Sequence, residues 1–404
     1  MNKNHRIIAI SLVFTLAVFS QPSLAATLYV EKWGDDANNC TKANPCLTIN
    51  RAKNLSKKNG RIVVGPGIYR ENVWIGLNLN FEPLEGLKLE STAGRHATFI
   101  QAANSSFHTV NISQSRVQFG KKKKGFTVSG ATTAGNAGIN IDNASVSNIR
   151  IEGNEARSNS DGIVLRGEKI LLQNNVATGN LVHGIECFTC TQVTIRDNIA
   201  NRNLVNGMLI YFSSQVVIER NVASGNDGVG ISTDTTSNTN RLKIRDNVVT
   251  FNQNTGIRAG DVGGGLVQGN IASQNVGHGL FVREGPLLQG GKVKGNLLVG
   301  NEISGIDFDD TDLSNIDAEK NTSVDNDGEG FLFSANGAPI GSFKSNNSFA
   351  NDEPGPNCGI NNTSVQLLSY TSHFFSGDDV GCGPIIGTSA AKPSALQVRK
   401  ASGL

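Results

Sequence analysis

Through most of the chain, apolar and polar residues alternate in short runs that follow glycines and show no helical period. The first and third positions after Gly162, Gly184, Gly207, Gly230, Gly256, Gly279, Gly305 and Gly330 read Ile163/Leu165, Ile185/Cys187, Met208/Ile210, Ile231/Thr233, Ile257/Ala259, Leu280/Val282, Ile306/Phe308 and Phe331/Phe333. Side chains of a strand alternate faces with a period of two, so these positions are expected to line an interior. A second apolar run lies further along each unit, as in Val193–Ile195, Val216–Ile218 and Leu242–Ile244.

Asparagine marks the same repeat. Pairs five residues apart occur at Asn154/Asn159, Asn175/Asn180, Asn198/Asn203, Asn221/Asn226, Asn247/Asn252, Asn270/Asn275, Asn296/Asn301, Asn321/Asn326 and Asn346/Asn351, and in the first eight the repeat glycine follows eight or nine residues after the first member. A unit that recurs every 21 to 26 residues without helical periodicity must stack strand on strand. Stacked Asn side chains at a bend can hydrogen-bond along the stack, and Asn tolerates the left-handed conformation that sharp bends need. The glycine is expected to supply another bend without a Cβ penalty. A helical bundle is the rival, but each repeat glycine costs a helix ~1 kcal/mol.

The expected fold is therefore all-β, a single right-handed parallel β-helix (solenoid), with an N-terminal helical cap and a disulfide-stapled C-terminal segment. The expected divisions are 1–25, a signal peptide; 26–60, an N-terminal strand and capping helix; 61–355, the parallel β-helix; and 356–404, a C-terminal cap and tail. The helix is expected within Thr48–Lys58, with Ile49, Ala52 and Leu55 on one face and Gly60 at its end.

The first residues read as a targeting segment. Lys3 and Arg6 precede an apolar run from Ile7 to Phe19, and Ser23-Leu24-Ala25 forms a small-x-small cleavage site. Cleavage after Ala25 or Ala26 implies a secreted or periplasmic chain without a membrane anchor. Six cysteines suit such a compartment. Cys40 with Cys46, and Cys358 with Cys382, read as local staples; Cys187 and Cys190 form either a small disulfide or two unpaired buried thiols. A net charge of +2 gives no case for nucleic acid as a partner, and no feature sets an oligomeric state.

The opening TLYVEKWGDDANNCTKANPCLTINRAKN, followed by RIVVGPGIYREN, resembles the start of exported members of the pectate-lyase-like superfamily of parallel β-helix proteins. That resemblance implies the fold. It also implies the family's range of activities: lyases, hydrolases and epimerases of acidic polysaccharides, beside binding and structural proteins.

The second and fourth positions after each glycine should point outward, and this face carries the candidate chemistry. The second positions include Glu186, Arg258, Phe281 and Asp307; the fourth include Arg166, Phe188, Tyr211, Asp234, Arg283 and Asp309. Flat aromatics stack on sugar rings, arginines bind carboxylates bidentately, and paired carboxylates do acid–base work. Glu186, Phe188, Tyr211, Phe281 and Arg166 are thus the expected substrate-binding residues. Arg258, Arg283, Asp234 and His278 are the expected catalytic ones, because the similar lyases use Arg or Lys as base. GHGL at Gly277–Leu280 resembles a motif of polygalacturonases, which implies a supporting role for His278, and SDGI at Ser160–Ile163 resembles another. The Asp pair and Arg-x-Lys of those hydrolases are missing: Thr255-Gly256 occupies the coil before His278. Asp307, Asp309, Asp310 and Asp312 cluster either as a solvated turn or as calcium ligands do. The basic run Lys121–Lys124 is a solvated loop or a contact for a polyanion.

The partner expected from these residues is an anionic extracellular polysaccharide, bound and, if the chain is an enzyme, cleaved by β-elimination as in a polysaccharide lyase. The alternative is a non-catalytic adhesin, scaffold or carbohydrate-binding surface protein. Convergence of Arg, Asp and His in one groove separates the two.

Overall fold

The computed structural model describes residues 26–233, 242–260, 264–283, 291–309, 316–333, 342–349 and 351, together with the short strands 360–362, 370–371 and 374–376. The chain winds as a right-handed parallel β-helix with three long sheets which, among the described residues, have 14 strands (sheet 1), 13 (sheet 2) and 12 (sheet 3). One coil shows the plan. Thr194–Arg196 lies in sheet 1, Ile199–Asn201 in sheet 2 and Met208–Tyr211 in sheet 3, before Val217–Glu219 returns to sheet 1. Each strand pairs in parallel with its counterpart one coil on, as Thr194 with Val217, Ile199 with Val222 and Met208 with Ile231.

The inward register follows the alternation. Ile163, Ile185, Met208, Ile231, Ile257, Leu280 and Ile306 pair in one continuous row of sheet 3, each at most 1% exposed. A single apolar cluster runs from Leu28 to Phe331 along the axis. Thr233 sits in the inner row beside Ala259 and meets its polar requirement there, its Oγ1 accepting from Gly260 N–H at 3.0 Å.

Two buried asparagine ladders flank sheet 2. In one, each Oδ1 accepts from the backbone N–H and Nδ2 of the Asn one coil before, running Asn154, Asn175, Asn198, Asn221, Asn247, Asn270, Asn296, Asn321, Asn346. The second runs in the same way from Asn159 to Asn351. These bonds satisfy bend amides that neither sheet can reach.

Two local expectations change in their physical reason. The left-handed residue at each bend is not the ladder Asn but the residue before it, such as Asp197, Arg202, Arg220 and Phe251, each with φ between 52° and 58°. The Asn keeps an ordinary φ and turns its amide inward. The repeat glycines are likewise not left-handed; they are needed for space. A Cβ on Gly207 would lie 2.6 Å from Gly230 O and 2.7 Å from Asn226 Nδ2, and one on Gly256 would be 2.7 Å from the equivalent pair.

At the N-terminal end the helix spans Ile49–Leu55, shorter than the expected Thr48–Lys58. The Thr48 side chain accepts from Arg51 N–H and starts it, while Ser56 is already extended and its N–H bonds Lys53 O. Ile49 and Ala52 are buried against the strands Thr27–Val30, Arg61–Val64 and Val73–Ile75. Cys40 and Cys46 are disulfide-bonded. Cys358, Cys382 and residues 1–25 lie outside the described residues. No helix is long and apolar enough to cross a membrane, among the described residues.

Candidate functional site

The outer face of sheet 3 carries the chemistry, and stacking sets its geometry. Coils lie ~4.8 Å apart. The row Val164, Glu186, Leu209, Ser232, Arg258, Phe281, Asp307 pairs position for position. The residue before each repeat glycine adds a neighbouring row on the same side, which brings in Asp161, His183, Asn206, His278 and Ser304.

One group forms around Glu186. Tyr211 Oη donates to Glu186 Oε1 at 2.6 Å. The Phe188 ring stacks on Tyr211 with centroids 4.7 Å apart, Phe212 meets Phe188 edge-on at 5.7 Å, and the Arg166 guanidinium lies 5.7 Å over Phe188. The backbone is built to present these rings. Cys187 and Cys190 are disulfide-bonded, and the register between the strands Asp161–Glu168 and Ile185–Thr191 shifts there as a bulge. Cys187 stays inward and Phe188 turns out. Ser213 ties the bulge to the next coil: its Oγ accepts from Cys190 N–H at 3.0 Å and donates to Tyr211 O at 2.8 Å.

Asp161 and His183 complete this group. Asp161 Oδ1 accepts from His183 N–H at 3.1 Å, and His183 Nδ1 accepts from Asn206 N–H at 3.3 Å. A neutral imidazole whose Nδ1 accepts carries its proton on Nε2, so His183 presents a donor. Burial holds His183 below the ordinary imidazole value, with Asp161 and Glu186 opposing. Burial pushes the Asp161 carboxyl up, helped by the charge of Glu186 and opposed by the His183 amide. The Tyr211 phenol is also pushed up, first by burial and then by its bond to Glu186. The arrangement combines a carboxyl of raised proton affinity, two proton donors and a guanidinium.

A second group lies four coils along, through Met208, Ile231, Ile257 and Leu280, or about 19 Å. His278 Nδ1 is 2.7 Å from Ser304 Oγ, and its Nε2 is 3.6 Å from Asp307 Oδ2. Phe281 sits 5.7 Å from the His278 ring and under the Arg258 guanidinium at 5.5 Å. Burial lowers the proton affinity of His278, and Arg258 lowers it further, against Glu329 and Asp309.

The sequence-derived residues thus divide. Arg166, Glu186, Phe188 and Tyr211 come together in the first group, and Arg258, His278, Phe281 and Asp307 in the second. Arg283 is exposed and pairs with Gly260, offset by two positions from Arg258. Asp309 is half-buried, its N–H bonded to Val282 O. Asp234, Asp310 and Asp312 lie outside the described residues. No group of three or more His, Cys, Asp or Glu is placed to hold a metal ion, among the described residues. Asp161 and His183 were not among the site residues read from the sequence. Their signal was available in the residue before each glycine, a position that also faces outward.

Residues 96–243 match the family described as "Right handed beta helix region". No curated protein matches the chain. Among solved structures, the A-module of the Azotobacter vinelandii mannuronan C-5 epimerase AlgE6 is similar over 83% of this chain and 91% of its own, at 17% identity and a TM-score of 0.53. The periplasmic alginate epimerase AlgG is similar over 80% of this chain and 77% of its own, at 14% identity and a TM-score of 0.47. A complex of XylC with xylose covers 89% and 87%, at 10% identity and a TM-score of 0.45. These likenesses are of fold. Three parallel sheets and two asparagine ladders give the described chain the fold of a parallel β-helix, and its residues 96–243 match the right-handed β-helix model.

Proposed function

We propose that the outer face of sheet 3 binds an exported acidic polysaccharide and that the group around Glu186 moves a proton on one uronate unit, with β-elimination as the outcome. The observation that carries this reading is the Tyr211–Glu186 hydrogen bond beside the buried Asp161 and the half-buried His183. The AlgE6 A-module, similar in fold, belongs to a mannuronan C-5 epimerase, which supports a uronate polymer as the ligand class.

Each residue has a role that its surroundings suit. Arg166 engages the uronate carboxylate and lowers the cost of removing the proton beside it. Asp161, whose burial raises its proton affinity, accepts the C5 proton. The electron pair forms the C4–C5 double bond as the C4–O bond breaks. Tyr211, held protonated against Glu186, gives its proton to the leaving oxygen. Solvent then restores both groups. His183 offers Nε2–H as a hydrogen-bond donor to the substrate. Arg258, stacked on Phe281 farther along, serves binding of the chain rather than the bond being broken.

The test incubates polygalacturonate, polymannuronate and a neutral glucan with wild type, Tyr211→Phe and Asp161→Asn, with and without calcium, because the Asp307–Asp312 cluster carries calcium-type donors. Unsaturated product is read by ultraviolet absorbance, and C5 exchange by proton NMR in D2O. Product from an acidic polymer that falls about 100-fold or more in both variants supports the assignment. Binding of an acidic polymer by wild type without product or exchange would leave the non-catalytic binding reading.

A further inference from the structure

Toward the N-terminal end of sheet 3, beside the Glu186 group and joined to it where Arg166 Nη1 donates to Asn140 Oδ1 at 3.4 Å, a pocket is lined by Asn72, Trp74, Phe107, His108, Asn111 and Asp142. Trp74 is 57% exposed and Phe107 60% exposed, yet the indole is held in place. Trp74 Nε1 donates to Ser113 Oγ at 2.8 Å, and the ring lies across Gly76, where an added Cβ would stand 3.0 Å from the indole. An aromatic fixed by its edge and backed by a glycine leaves one flat face to solvent. The pocket's polar groups are also oriented. Asn140 Nδ2 donates to Asn111 Oδ1 at 2.8 Å, and Asn111 Nδ2 donates to Asp142 Oδ2 at 3.2 Å. His108 Nδ1 accepts from Ala137 N–H at 2.9 Å, which leaves the proton on Nε2.

We propose that this pocket is a subsite for an uncharged pyranose ring, stacked on Trp74 and held by Asp142 and His108. Among the described residues, Asp142 is the one carboxylate lining it and no Lys or Arg does; the Arg166 guanidinium of the next coil is turned to Asn140 Oδ1 at 3.4 Å and to the Phe188 ring. A carboxylate accepts hydrogen bonds from sugar hydroxyls and repels a uronate carboxylate. The pocket therefore selects the opposite class from Arg258 and Arg283. It deepens the proposed function and rests on that reading for one point: a chain long enough to cover both sites would carry a neutral unit four coils, about 19 Å, from the uronate at Glu186.

The chain has two tryptophans, and the other, Trp33, is 69% exposed, so Trp33→Phe makes Trp74 the sole indole reporter. Cellotetraose, mannotetraose and tetragalacturonate are titrated into full-length Trp33→Phe and followed by Trp74 emission, which reports this pocket and not an acidic oligomer held at Arg258; calorimetry follows the neutral tetramers. The expected result is a saturable emission change with a neutral tetramer at a concentration at least about tenfold below that for tetragalacturonate. Trp74→Ala should abolish the calorimetric signal of the neutral tetramers, and Asp142→Asn should bring the emission midpoints of the two classes within about threefold. Tyr211→Phe should leave the titration unchanged, so failure of the elimination chemistry and failure of this subsite are separately visible. No binding of either neutral tetramer overturns the proposal. So does an equal emission response to the acidic one, or an emission change that tracks protein concentration and marks self-association through Trp74.

Discussion

Asn221→Ala probes the ladder at a coil where every partner is defined. Asn221 Oδ1 accepts from Asn198 N–H at 2.9 Å and from Asn198 Nδ2 at 3.1 Å, while its own Nδ2 donates to Ile195 O at 2.9 Å and to Asn247 Oδ1 at 3.1 Å. Truncation removes all four bonds. Asn198 Nδ2 keeps Leu172 O, and Asn247 Oδ1 keeps the Asn221 backbone N–H. Asn198 N–H loses its acceptor inside a bend that is 1% exposed. An orphaned buried donor costs ~1–3 kcal/mol and each of the other three bonds lost ~0.5–1.5, so about 2.5–7.5 kcal/mol is expected if the losses add. Urea unfolding followed by circular dichroism measures it, with the outward, half-exposed Thr194→Ala as control. Because a solenoid couples nearest neighbours, hydrogen exchange at Asn198 should accelerate while exchange near Val63 stays unchanged. A loss below about 0.5 kcal/mol, or an unchanged Asn198 exchange rate, would refute the claim that the ladder satisfies the bend.

Gly207→Ala should destabilise by about 1–3 kcal/mol through overpacking against Gly230 O and Asn226 Nδ2, whereas Gly179→Ala, which has open space but a left-handed φ of 61°, should cost less, about 1 kcal/mol. Matched thermal melts compare them. Leu280→Ala, 1% exposed between Ile257 and Ile306, should cost about 2–5 kcal/mol; a loss under 1 kcal/mol in urea would contradict the inner row. His108, His183 and His278 are all lowered by burial, so the folded chain binds fewer protons than the unfolded one just below the ordinary value. Their contribution is therefore complete above about pH 6.5 and lost as pH falls from there toward the folded values. His183→Gln should flatten that part of the pH–melting curve, and an unaltered slope would remove His183 from the account. Arg258→Ala should weaken binding of an acidic polymer about tenfold or more while leaving the melting temperature nearly unchanged, since the side chain is exposed; equal affinities would count against the binding face.

The sequence by itself determined the repeat, the inward rows and the ladders, because these depend on rules that act within a few residues. Alternation put Ile257, Leu280 and Ile306 inside once the glycines set the phase, and the five-residue Asn spacing fits one three-residue strand between two bends. Stacking decided the rest. Whether a glycine is present for its backbone freedom or for the space it leaves depends on what the next coil brings against it, and Gly207 faces a carbonyl and an amide more than 15 residues away in sequence. The site was half legible for the same reason. Glu186, Tyr211, Phe188 and Arg166 followed from outward positions, but the bulge at Cys187–Cys190 shifts the register that brings Arg166 over Phe188. Asp161 and His183 became partners of that group only because a coil of about 22 residues returns to within one strand spacing of its start, where burial by neighbouring coils, rather than the identity of either residue, sets how tightly each holds its proton.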